Sequence, residues 1–297
     1  MKKVMKKVSY YNELRDENGY VYSIDNLRIE FFLDKSFEKI FLSYMSFILR
    51  TDIYYQENFK HHKYKHLWTI RYSDYASMTI GYCFNGNDFH SDSYKGFIDV
   101  NPNKTGNHEQ FWIDFNKLKS FCKFFNVARC DIAIDLPIKR EYLLLTKDKR
   151  KYEQISYSYK NKTEYLGTRS RIGFTKIYNK TMESKLDYDL TRVEITCLLS
   201  KESFNQYYPK IFDMSQNTKL SRELDSLNDT ERAIINMLSI LNNNGDDSAL
   251  IIFNSMGRVM KNKLKKFIAS EHSQIIYSEK TLSKLIDNAQ HLYLKDA

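Results

Sequence analysis

The stretch Val127-Ala128-Arg129-Cys130-Asp131-Ile132-Ala133-Ile134-Asp135-Leu136 most narrows the folds open to this chain. Its polarity alternates with a period of two, the side-chain periodicity of a strand with one face buried. Ala128, Cys130, Ile132, Ile134 and Leu136 are expected to face the core, and Val127, Arg129, Asp131, Ala133 and Asp135 the other side. Aspartate is a poor strand former, so two in one strand weigh towards a function; a solvated sheet face is the competing account. Two carboxylates four residues apart stand roughly 13 Å apart along an extended chain. They cannot both grip one ion unless the strand bends or another element fills the gap. One at a metal and one behind it, or on a lysine, is compatible with that spacing.

Two further segments repeat the pattern. In 190–198, Val193, Ile195 and Cys197 are expected in the core, and Arg192, Glu194 and Thr196 opposite. In 171–178, Phe174, Lys176 and Tyr178 share a face, with Lys180 just beyond. If the polar faces coincide, Asp131, Asp135 and Glu194 gather with Arg129 and Arg192. Oxygen ligands without Cys or His suit Mg²⁺ or Mn²⁺, and the arginines suit phosphate oxygens. A lattice of cross-strand ion pairs is the alternative. A phenol is a weak nucleophile at its ordinary pKa of about 10. A divalent cation, or the ammoniums of Lys176 and Lys180, would favour the phenolate and neutralise an attacked phosphate. Against Tyr178 stands the fact that the chain has 23 tyrosines, most of which must be packing residues.

Along the rest of the chain, residues 1–24 read as a polar N-terminal arm. Leu27–Leu33 reads as a strand, and Asp34 as the cap of a helix with Phe37, Ile40, Phe41, Tyr44, Met45 and Ile48 at helical spacing. Residues 68–72 and 78–83 suggest a hairpin, and 96–100 another strand. A helix follows with Phe111, Phe115, Leu118, Cys122 and Phe125 on one stripe. The basic segment 137–163 reads as a solvated connection or a DNA-facing loop. Beyond residue 200 the pattern turns helical. Asn228 and Glu231 form a capping box; a second helix near 250–270 carries Arg258, Lys261 and Lys265 on one side; a third, near 279–294, repeats Leu282, Leu285, Ile286, Ala289 and Leu292. This order implies an α+β fold: a mainly antiparallel sheet with helices packed on one face and a helical C-terminal region. The expected division is 1–24 arm, 25–205 catalytic domain and 206–297 helical region.

The net charge of +9 fits a polyanionic partner, and equally the Lys-, Asn- and Tyr-rich usage of an AT-rich genome. Four cysteines form no CxxC, and no His sits at zinc-finger spacing, so disulfides and structural zinc are not expected. The basic start is followed by no apolar signal core, and no run of 18 apolar residues occurs, so the expectation is a cytoplasmic protein with no membrane partner.

Five segments together resemble the rolling-circle replication initiators of small Gram-positive plasmids. They are Asn101-Pro102-Asn103-Lys104, Arg129–Asp135, Glu164-Tyr165-Leu166-Gly167-Thr168-Arg169, Lys176-Ile177-Tyr178-Asn179-Lys180 and Arg192-Val193-Glu194-Ile195. A later start, Asp229–Ile234, is also similar, and the likeness runs from about 97 to 270. Leu166 and Cys130 depart from the usual aromatic and aliphatic residues. The resemblance implies that Tyr178 attacks one phosphodiester at a hairpin origin, leaving a 5′-phosphotyrosine and a 3′-OH primer. Lys176, Lys180 and Arg192 would assist it. Asp131, Glu194 and Asp135 would hold Mg²⁺ or Mn²⁺. Arg129 and Arg169, with Arg258, Lys261 and Lys265 for origin recognition, would bind DNA. It further implies a homodimer that exposes a single-stranded nick site and recruits a host helicase. A conjugative relaxase would use the same tyrosine, and usually carries an N-terminal module for which there is no room before residue 25. A non-catalytic DNA-binding repressor would use the basic helix alone, without metal or covalent adduct.

Overall fold

The computed structural model describes residues 13–48, 64–84, 93–145, 148–156, 162–213, 255–262 and 274–294. Its centre is a pair of long strands, β2 (Val21–Asp34) and β6 (Cys122–Leu136), antiparallel to each other. On one side β2 pairs with β5 (Ser93–Val100), then β4 (Ser77–Phe84) and β3 (Tyr64–Arg71). On the other, β6 pairs with β11 (Thr191–Cys197), then β10 (Thr175–Asn179), β9 (Lys162–Leu166) and β8 (Tyr152–Ser156). A short β1 (Glu13–Arg15) also pairs with β2, completing a ten-stranded sheet in which every pairing is antiparallel. Residues 13–15 and 21–24, expected in an arm, therefore lie in the sheet. The segment 137–163, expected as a connection, supplies β7 (Leu143–Leu145), β8 and the start of β9.

One face of the sheet is greasy along its width, with Leu27, Ile29 and Phe31 on β2, Cys130, Ile132 and Ile134 on β6, and Val193 and Ile195 on β11. Helices cover that face. Helix α1 (Glu38–Ile48) follows a turn capped by Asp34, whose carboxylate accepts from the Ser36 amide, and seats Phe41 and Met45 inward. Phe37 and Ile40, spaced to join them, are exposed. Between β5 and β6 lie a one-turn α2 (Pro102–Thr105) and α3 (Glu109–Lys119), which buries Phe111, Phe115 and Leu118. Beyond β11 come α5 (Lys201–Tyr207), preceded in the chain by the short α4 (Lys180–Ser184) after β10, and β12 (Ile211–Asp213), which pairs with β7. The last helix, α6 (Glu279–Tyr293), buries Leu282, Leu285, Ile286 and Ala289, as its periodicity predicts. The Tyr293 ring lies against Trp112 and Phe115 of α3, so α6 shares the core of the sheet. The capping box at Asn228 and Glu231 lies outside the described residues. So does Lys265, while Arg258 and Lys261 sit in a short helical stretch at 258–262.

Neither central strand keeps one alternation throughout. Ile24 pairs with Ile132 but Asn26 with Asp131, so Asp25 is an extra residue bulged out of β2. Arg28 pairs with Arg129 but Ile29 with Val127, so Ala128 is extra on β6. Val127 is buried while Ala128 is not, the reverse of the simple period-two reading. The bulge absorbs the discrepancy, and from Cys130 onward the expected faces hold.

Candidate active site

The polar faces of β6, β10 and β11 do coincide. Lys176 is directly opposite Glu194, Tyr178 opposite Arg192, Arg192 opposite Asp135 and Thr196 opposite Asp131. All lie on the sheet face opposite the core-covering helices, because each alternates with a core residue of its own strand, and Glu183 of the short α4 also reaches Tyr178.

Tyr178 donates its phenol proton to Glu194 Oε1 at 2.5 Å. The Lys176 ammonium stands 3.7 Å over the centre of the same ring and 3.8 Å from Glu194 Oε2. Lys180 is farther, 5.8 Å from the ring centre, and is paired with Glu183 at 2.6 Å. Of the two lysines, Lys176 is thus the nearer to the tyrosine ring. Burial first, then the negative charge of Glu194 and the hydrogen bond to it, push the Tyr178 phenol well above its ordinary value; Arg192 opposes this in part. Glu194 is itself raised, chiefly by burial, with Lys176 and the tyrosine hydrogen bond working the other way. The resting pair is a neutral phenol held on a carboxylate of enhanced basicity.

Arg192 is fixed from two sides. Its Nε and Nη2 donate to the two oxygens of Asp135, each at 2.6 Å, and its Nη1 donates to Asp25 at 2.8 Å. Asp25 in turn accepts from the Asn103 amide at 3.2 Å. Asn101 caps α2 and Pro102 opens it, so the Asn101–Lys104 segment has a local role and also braces the site. Asp25 escaped the sequence reading, which put it at the start of the catalytic domain without a role. The available signal was the change of apolar parity from Tyr22 and Ile24 to Leu27 and Ile29, which marks an extra residue between them.

The three expected metal ligands are differently placed. Both Asp135 oxygens are taken by Arg192, so Asp135 is the partner of that guanidinium and not an open ligand. Asp131 accepts from Thr196 through Oδ1 at 2.6 Å. Asp131 and Glu194 occupy diagonal positions on paired strands, about 7–8 Å apart in such a register. Among the described residues no three His, Cys, Asp or Glu side chains converge as a ready-made cage. Glu194 is engaged by Tyr178 at Oε1 and by Lys176 at Oε2, so Asp131 is the carboxylate that fits a cation such as Mg²⁺, which keeps several waters and takes few protein ligands.

Beside this cluster opens a cavity of about 380 Å³ lined by Arg129, Asp131, Tyr165, Arg169, Ser170, Phe174, Lys176 and Thr196. Its outer wall is the turn 167–174. Gly167 and Gly173 both take positive φ, 86° and 87°, which a side chain would resist. Thr196 fastens the turn to β11 through Gly173 N and Phe174 O, at 2.7 and 2.8 Å, and Arg129 donates to Ser170 O at 2.8 Å.

Among the described residues, no helix is long and apolar enough to cross a membrane. No protein-family model matches the chain, and no curated protein is significantly similar to it. Among solved structures, the chain is similar to a rolling circle replication initiator protein from Geobacillus stearothermophilus, with 14% identity and a TM-score of 0.37 over 66% of this chain and 82% of that one.

Proposed function

We propose that this protein is a replication initiator that nicks one strand of DNA at a double-strand origin through Tyr178. The observation that carries the reading is the Tyr178–Glu194 hydrogen bond at 2.5 Å beneath the Lys176 ammonium, on the polar sheet face with Asp131 and Arg192 nearby. The order of motifs that resemble plasmid initiators supports it. As the Tyr178 oxygen attacks phosphorus, its proton passes to Glu194, whose raised pKa suits a general base. The new bond is tyrosyl O–P and the broken one is P–O3′; the departing 3′ oxygen takes a proton from solvent. The phosphotyrosyl ester conserves the energy of the cut bond, so the strand can be rejoined.

Lys176 offsets charge on the attacked phosphate, and the Asp25–Arg192–Asp135 clamp holds a guanidinium within reach of its oxygens. Asp131 would hold Mg²⁺ or Mn²⁺, leaving Glu194 free to act as the base. A divalent cation there would polarise the phosphoryl group and steady the leaving 3′ oxygen. The DNA partner is a single-stranded or extruded segment at a hairpin origin. A homodimer and a host helicase belong to the same reading.

The test uses supercoiled plasmid bearing the native gene region, with Mn²⁺ or Mg²⁺ and wild type beside Tyr178→Phe. Metal-dependent nicking with a covalent protein–DNA adduct, absent in the variant, is the expected result. An adduct that survives in Tyr178→Phe moves the nucleophile elsewhere, and sequence-specific binding without any nick would favour a repressor.

A further inference from the structure

The cavity beside Tyr178 has the composition of a nucleotide site. Three of its eight lining residues are cations, Arg129, Arg169 and Lys176, against one carboxylate, Asp131. Its volume of about 380 Å³ is in the range of sites that enclose a small ligand, roughly 300–1,000 Å³. Tyr165 and Phe174 stack with ring centres 5.8 Å apart and planes within 16°. The Arg169 guanidinium lies 4.9 Å over the Tyr165 ring, on an exposed residue that can give way or itself stack on a base. Arg129 spends one Nη1 donor on Ser170 O, and its Nε is buried without a hydrogen-bond partner among the described residues, so the remaining Nη donors are the ones a ligand can reach. A guanidinium has five donors, so Arg129 has capacity left for phosphate oxygens.

The position ties the cavity to the chemistry. Tyr165 is paired with Lys176 across β9 and β10, and Lys176 with Glu194 across β10 and β11. Lys176 therefore lines the cavity and also covers the Tyr178 ring. A nucleotide seated in the cavity would share Lys176 with the phenol.

Resting on the nicking reading above, we infer that this cavity holds one unpaired nucleotide flanking the cleaved phosphodiester. Its base stacks on the Tyr165–Phe174 pair and its phosphate lies between Arg129 and Lys176. Base–aromatic stacking tolerates every base, so the site selects single-stranded over duplex DNA without reading sequence. The extrusion of a hairpin loop or its melted flank would supply such a nucleotide.

The experiment measures fluorescence anisotropy with a fluorescein-labelled oligothymidylate and an abasic oligomer of equal length, in chelator so that no nicking is needed. Wild type should favour the oligothymidylate by about tenfold, the scale of one stacked base. Tyr165→Ala should erase that preference, and Tyr165→Phe, which keeps the ring, should retain it. Arg129→Gln should weaken both oligomers alike and lower the salt slope by about one. A preference unchanged in Tyr165→Ala, or absent in wild type, overturns the stacking site; an unchanged salt slope in Arg129→Gln overturns the phosphate contact. Adduct formation on supercoiled plasmid is scored separately. A base preference without an adduct would sink the nicking reading and leave a single-strand binding site, whereas an adduct without the preference would do the reverse.

Discussion

Glu194 is enclosed by Tyr178, Lys176 and the charge of Asp25, and burial raises its affinity for a proton above that of an ordinary glutamate. The same enclosure that makes it a better acceptor makes its ionised form costly to the fold. With the folded pKa raised, its contribution to stability is full below the unfolded value of about 4.3 and is lost as pH rises through the folded one. Glu194→Gln should therefore raise the thermal midpoint at pH 8 and leave it nearly unchanged at pH 4, while cutting nicking by about 10²–10⁴-fold. Nicking by wild type should fail on acidification at a pH above the ordinary glutamate range. A midpoint lowered at pH 8 would mean that the carboxylate is held for structure and not for chemistry. The shared face of Glu194 and Tyr178 was legible in the sequence because alternation sets it. The pairing of Asp135 with Arg192 stood there only as one alternative, a lattice of cross-strand ion pairs, since a strand pattern does not choose between an arginine and a metal for a carboxylate.

At the scale of elements, the turn between β9 and β10 does more than reverse the chain. It forms the outer wall of the cavity, and Arg150 adds to the fastening by donating to Gly173 O at 2.7 Å. Gly173 is bound both by its φ of 87° and by the Tyr207 ring of α5, 2.6 Å from where a Cβ would stand. Gly173→Ala should cost about 1–3 kcal/mol, read as a lower urea midpoint at an unchanged m-value. It should also weaken single-strand binding, because the wall carrying Ser170 and Phe174 moves with it. Equal stability of the variant would show that the turn relaxes freely. The strands here were readable from polarity, with β10 and β11 displaced by a few residues at their ends. The contribution of 137–163 to the sheet was not, because β7 and β8 are short, lie among lysines and depend on pairing for their stability.

For the molecule as a whole, the core helices among the described residues pack on one face and the candidate site lies on the other, and α6 closes the packed side although it follows every strand in sequence. Tyr293 is wholly buried between α6 and α3, yet its hydroxyl finds no hydrogen-bond partner among the described residues. Tyr293→Phe should thus stabilise by about 1 kcal/mol by removing an unmatched polar group. Tyr293→Ala should destabilise by about 3–5 kcal/mol through the cavity it leaves. Denaturant titration of both decides the matter, and a destabilised Phe variant would reveal a partner for the hydroxyl. The α+β class and the α6 period were plain in the sequence, whereas the bulges were hidden, because a single added residue looks like noise in a two-residue rhythm. Their consequence is a shift of reading frame within a strand. On β2 the inward positions are even before Asp25 and odd after it, and Asp25 is the residue at which the frame changes. A one-residue deletion there would restore a single alternation, with Tyr22, Ile24 and Leu27 all still inward, but would abolish the bulge that carries the carboxylate steadying Arg192. When relatives of this chain are aligned, a gap at that point marks a protein that must hold its arginine in some other way.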